Sequence, residues 1–196
     1  MRSTRHDWRR RKQRTSARNR GSRGLTLIET ALATIIVGVG VLSIVVAQAA
    51  FHQQNVYSVQ AATAARLGNE IRELTLSMPR HDPVTGKAYW GPEPSETTLD
   101  DFDDLDDFDG LIFSAELGNG PINSRREIIP NMNGWAQTIL VDMVDVSNIN
   151  QYYDVPEEPE DYPDDYVMRM TVIVTYQRPI DPEPLEITRV SWISPN

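Results

Sequence analysis

The chain has 196 residues, 40% of them hydrophobic, and a formal net charge of −9. That length suits one domain of ordinary size plus an extension, and the apolar content excludes wholesale disorder. No cysteine is present, which excludes disulfides, thiolate metal sites and redox or nucleophilic chemistry at sulfur.

The charge is divided along the chain. Residues 1–24 hold ten Arg or Lys against Asp7, a net of +9, which leaves −18 for the remainder. A basic head of this kind is an electrostatic footprint that suits nucleic acid. Here it precedes an apolar span instead. No Asp, Glu, Lys or Arg occurs from Thr30 to Ala65, and Ala31–Ala50 is almost entirely apolar. Basic residues directly before such a span keep that flank cytoplasmic and send the C-terminal side across the membrane. The acidic body repels nucleic acid, so none is expected as a partner. Residues 1–24, rich in Ser, Asn and Gly, read as a disordered basic leader.

Residues 25–78 read as one long helix. Thr26 suits its N-cap, and Glu29 lies where a negative charge favours the helix dipole. Residues 25–50 form the membrane-spanning half, helical because lipid leaves a lone segment no other way to satisfy its backbone. Residues 51–78 form a soluble half. There Val56, Val59, Thr63, Leu67, Ile71, Leu74 and Met78 make one stripe of an amphipathic helix that should pack on a sheet. Ala61, Ala62, Ala64 and Ala65 favour helix, and Pro79 ends it.

Residues 79–196 read as a loop-rich antiparallel sheet domain. Four prolines and the acidic run Asp100–Asp109 mark residues 79–110 as loop. Strand patterns follow at Leu111–Leu117, Gln137–Val146, Val167–Gln177 and Leu185–Ile193. Arg178–Pro184 is a short turn that suits a hairpin. Asp154–Asp165 is an acidic, Pro-rich loop with no means of packing a core. A long helix followed by an antiparallel sheet is α+β.

The informative motif is Arg23-Gly24-Leu25-Thr26-Leu27-Ile28-Glu29 at the head of the helix. It resembles the cleavage site of type IV prepilins and type II secretion pseudopilins, with Leu25 where that family usually has Phe. The resemblance covers Gly24 to about Met78, and the sheet domain matches by architecture alone. It implies cleavage after Gly24 by a prepilin peptidase and methylation of the new N-terminal Leu25. It also implies a docking role for Glu29 toward the N-terminal amine of a neighbouring subunit. Independently, a carboxylate at the edge of an apolar span is costly and needs a partner. C-terminal to Glu29 nothing basic occurs before Arg66 except His52, about six turns away, so that partner belongs to another molecule. Gly38 and Gly40 lie mid-span, where small residues permit close helix approach and where related helices loosen in the filament. The stretch Ile36–Leu42 looks like minor pilins of the type IV pilus modification group and minor pseudopilins.

Chemistry-bearing clusters are weaker. The run Asp100–Gly110 invites calcium, since oxygen-only ligands suit it and some pseudopilins bind it in a loop. Set against an EF-hand loop, Gly110 takes the sixth place and Glu116 the twelfth, but Leu105 falls at the first and cannot ligate. The run therefore reads as a solvated acidic loop without an assigned metal or cofactor, Asp104, Asp106, Asp107 and Asp109 being its calcium candidates. His81 stands in a Pro-flanked loop and reads as a surface histidine, and Trp90, Trp135 and Trp192 read as core or loop anchors.

The expected function is that of a filament subunit without enzymatic activity. Its expected partners are other pilin subunits, the prepilin peptidase and an inner-membrane assembly platform. The alternative is an exported binding domain released by signal peptidase after Ala49, since Ala47-Gln48-Ala49 has the form of such a site.

Overall fold

The computed structural model describes residues 26–194, so the leader and both processing residues, Gly24 and Leu25, lie outside the described residues. The architecture is α+β, one long apolar helix followed by a five-stranded antiparallel sheet. The chain divides into two compact units, Met1–Ala50 and Phe51–Asn196.

Helix α1 spans Leu27–Thr75. Thr26 caps it: its Oγ1 accepts the Glu29 N–H at 3.4 Å, and its carbonyl accepts the N–H groups of Glu29 and Thr30 at 3.0 and 3.1 Å. Within the first unit the apolar side chains, Leu27 to Val46, are exposed all round the helix. The hydroxyls there need no water. Thr34 and Ser43 each donate to the carbonyl four residues back, both at 2.8 Å. This helix is long and apolar enough to cross a membrane.

In the second unit α1 becomes one-sided, with Ala64, Leu67, Gly68, Ile71 and Thr75 buried. The stripe read from the sequence holds from Leu67 onward. It fails at Val56 and Val59, which are 59% and 60% exposed. For Val59 the reason is at Gly68, where a Cβ would stand 2.6 Å from Val190 Cγ2. The helix approaches the sheet on its small-residue line through Ala64 and Gly68, and Val59 lies well round the helix from that line. Gln137 fastens the contact: its Nε2 donates to the carbonyls of Leu67 (2.9 Å) and Ile122 (3.1 Å), and its Oε1 accepts the Ile122 N–H at 2.8 Å. The helix stops at Thr75, three residues before the expected end, because Pro79 disfavours helical geometry at Met78.

The strands are β1 (Ile112–Ser114), β2 (Trp135–Asp145), β3 (Tyr152–Tyr153), β4 (Tyr166–Tyr176) and β5 (Leu185–Ser194). The order is β1-β2-β4-β5, with β3 beside β2. β2 and β4 pair along their whole lengths, from Trp135 opposite Tyr176 to Asp145 opposite Tyr166. Arg178–Pro184 joins β4 to β5 as expected, with a bulge between Val174 and Thr175. Alternation along β2 and β4 sends Ile139, Val141, Met143, Met168, Met170, Val172 and Val174 inward, where they meet Leu67 and Ile71. A fully buried Leu or Ile contributes about 1.5–3 kcal/mol relative to exposure. Two details depart from expectation. β3 is only two residues long, below the reach of any period-2 pattern, and the acidic loop before β4 does contribute to the core, through buried Tyr162.

Candidate functional site

Two places concentrate unusual chemistry. The first is the head of α1. Glu29 lies in its first turn, exposed, and among the described residues it has no ion-pair partner. Gly38 and Gly40 have no heavy atom within 4 Å of the position a Cβ would take. Packing within this chain therefore gives no reason for glycine at either position.

The second is the segment between α1 and β1. Phe102, Leu105 and Phe108 recur every third residue, and a 3₁₀ turn at Asp106–Phe108 brings that spacing onto one side. Leu105 and Phe108 are fully buried, and Leu105 N–H is held by the Pro79 carbonyl at 3.1 Å. The apolar anchors carry the aspartates between them inward. Asp104, Asp106 and Asp107 are 2%, 1% and 0% exposed. The expectation of a solvated loop holds for Asp100, Asp101 and Asp103, which are exposed, and is corrected for Asp104–Asp107, which are buried because the hydrophobes at helical spacing outweigh their charge.

The four calcium candidates separate. Asp109 Oδ1 accepts the Val141 N–H at 2.8 Å and its Oδ2 the Trp90 indole N–H at 3.0 Å, so this side chain joins loop to sheet. Asp106 Oδ2 lies 3.0 Å from His81 Nδ1, and His81 Nε2 lies 2.6 Å from the Tyr166 hydroxyl. The tautomer that satisfies both has Nδ1–H donating to Asp106 and the Tyr166 O–H donating to Nε2. His81 is accordingly a buried clamp and not a surface residue, and its two nitrogens are both engaged.

Asp104 and Asp107 belong to a carboxylate cluster with residues absent from the candidate set. Glu93, Asp104 and Asp107 each place a carboxylate oxygen within 4.8 Å of the others'. Glu96, Asp103 and Asp107 do the same, as do Asp82, Glu93 and Glu96. Local turns build this. Asp82 Oδ1 accepts the N–H groups of Val84 and Thr85, Thr85 Oγ1 donates to Glu93 Oε1 at 2.7 Å, and Glu96 Oε2 accepts the Glu93 N–H at 3.0 Å. Asp107 Oδ2 accepts the N–H groups of Asp103 and Asp104 at 3.0 and 3.3 Å. The acidic residues of the 82–96 stretch carry no periodic signal, so only folding reveals them as neighbours of the later run.

Burial governs the titration of this region. It pushes Asp104 up to about 8, helped by hydrogen bonding and charge from Asp106. It pushes Asp106 to about 7, Asp107 to about 6 and Glu96 to about 7. Burial also lowers His81 to about 4, against the raising effect of the Asp104 charge. The three tryptophans are anchors as expected: Trp135 is buried, while Trp90 and Trp192 pack half-buried against the core. Comparisons with protein-family models, curated proteins and solved structures returned no match.

Proposed function

We propose that this chain is a minor pilin or pseudopilin, a structural subunit of a type IV pilus or type II secretion-type filament. The observation that carries this reading is Glu29, which has no ion-pair partner among the described residues and heads a helical stretch, Leu27 to Val46, whose apolar side chains face outward on every side. Such a surface belongs in lipid or among helices of its own kind, and in either medium a carboxylate needs a cation. Cleavage after Gly24 supplies one, the new amine at Leu25 of a neighbour offset along the filament axis. Gly38 and Gly40 fit the same setting, since they permit close approach by helices from other subunits.

The precursor lies in the inner membrane with its basic head cytoplasmic, and the sheet domain is exported. A prepilin peptidase processes it, and the assembly platform passes it to the other subunits. The reading assigns the chain a structural role and no catalytic one. Mass spectrometry of the mature protein tests the reading. The expected N-terminus is methylated Leu25. A chain beginning at Ala50 overturns it and makes the protein an exported domain freed by signal peptidase.

A further inference from the structure

The carboxylates between α1 and β1 lack what buried charges require. Among the described residues no Lys or Arg lies within ion-pair distance of Asp82, Glu93, Glu96, Asp103, Asp104 or Asp107. The nearest cations are committed elsewhere. Arg126 donates to the backbone carbonyls of Asp100 and Phe102, Arg80 donates to the Tyr166 carbonyl, and Lys87 lies over the rings of Tyr162 and Tyr166. Separately, two oxygens in the cluster have no hydrogen-bond partner at all: Asp107 Oδ1, on a side chain 0% exposed, and Glu93 Oε2, on one 6% exposed. The second oxygen of each carboxylate is occupied, Asp107 Oδ2 by two backbone N–H groups and Glu93 Oε1 by Thr85. The protein therefore fixes each carboxylate by one oxygen and leaves the other buried without a donor. A buried acceptor left in that way is costly, and native proteins rarely leave one without a function.

We propose that Glu93, Asp104 and Asp107 form a calcium site, with Glu96 and Asp103 completing it on the side that meets solvent. Donor number and rigidity support the choice of ion. Calcium takes about six to eight oxygen ligands in flexible geometry, whereas magnesium demands a near-ideal octahedron, keeps several waters and is seldom held by an all-protein cage. Glu93, Asp104 and Asp107 group their carboxylate oxygens, as do Glu96, Asp103 and Asp107. The donors are all oxygen, with neither imidazole nor thiolate among them, which suits a hard cation and not zinc or copper. The more exposed Glu96 and Asp103 give the ion its path in. The bound ion ties the 82–96 turns to the Asp103–Asp107 run, two segments otherwise joined there by like charges.

The test uses the full chain in detergent, stripped of metal, with thermal unfolding followed during calcium and magnesium titrations. The midpoint is expected to rise with the logarithm of calcium concentration above a Kd on the order of 0.1–1 mM, and to respond far less to magnesium. Terbium should emit when Trp90 is excited and lose that emission to calcium. Glu93→Gln and Asp107→Asn keep shape and are expected to weaken calcium by at least the tenfold, on the order of 10–100, that loss of an outer partner costs. Glu96→Gln, at the half-exposed rim, serves if a buried variant does not fold. Asp164→Asn, in the exposed loop before β4, should bind as the parent does. A parent whose midpoint ignores calcium, or cluster variants that bind calcium as tightly as the parent, overturns the site. A parent that gains nothing from calcium while Asp107→Asn is the more stable protein assigns the cluster to shared protons.

Discussion

At Glu29 a carboxylate heads an apolar helix with no paired cation among the described residues, and at Asp107 a carboxylate oxygen is buried with no donor among them. In the two proposals both residues take a partner from outside the chain, but different media set the requirement. In the filament reading the partner of Glu29 is an amine, so charge matters more than shape. Glu29→Leu makes the span more apolar and should insert and be processed normally. It should nonetheless be depleted from sheared filaments relative to membranes, because the neighbour's amine is left alone in a low-dielectric bundle. Glu29→Gln, which keeps shape and loses charge, should share that defect. Normal recovery of both variants would remove the docking role and leave the motif as a processing signal. Residue by residue, legibility in the sequence followed spacing. Glu29 stood out because 36 uncharged residues follow it. Asp109 does not stand out in the same way, because a composition of aspartates does not show which of them the backbone and Trp90 engage.

The elements were legible where one periodicity acts alone. β4 and the hairpin to β5 follow their β-branched alternation, and α1 follows its apolar run. Legibility failed where two patterns overlap. The acidic run hides the spacing of Phe102, Leu105 and Phe108, and that spacing decides burial. Along α1, Val56 and Val59 looked like the start of the packed stripe. Yet the contact is set by Gly68, whose missing side chain lets Val190 come close. This yields a contrast between neighbouring positions. Ile71→Ala should destabilise the folded domain by about 2–5 kcal/mol, as expected of a fully buried Ile. Val59→Ser should change it by less than about 0.5 kcal/mol, because Val59 is exposed and lies outside the core. Gly68→Val should cost about 1–3 kcal/mol by forcing β5 away. Urea unfolding measures all three. A large loss at Val59 with little at Ile71 would mean that the helix sits on the sheet by the other face.

For the whole molecule, the acidic balance is not spread evenly: part of it is concentrated inside the Phe51–Asn196 unit, around Asp104, Asp106 and Asp107. This gives stability a definite dependence on pH when divalent cations are chelated. Burial holds Asp104 at about 8, Asp106 and Glu96 at about 7 and Asp107 at about 6, all above the ordinary carboxylate value. Between that ordinary value and pH 8 the folded chain therefore binds more protons at these groups than the unfolded chain, so they lose stability as pH rises. His81 acts in the opposite sense. Burial lowers it to about 4 from 6.5, so it adds stability as pH climbs through that interval and nothing above it. Below pH 6.5 the two effects partly cancel, and above 6.5 only the acids remain. The urea midpoint in chelator should thus fall from pH 6.5 to pH 8 and level off beyond. Asp104→Asn, which removes the group held highest, should flatten that fall. A midpoint that stays flat over the same interval would show that the carboxylates are ionised in the folded chain without an ion to balance them.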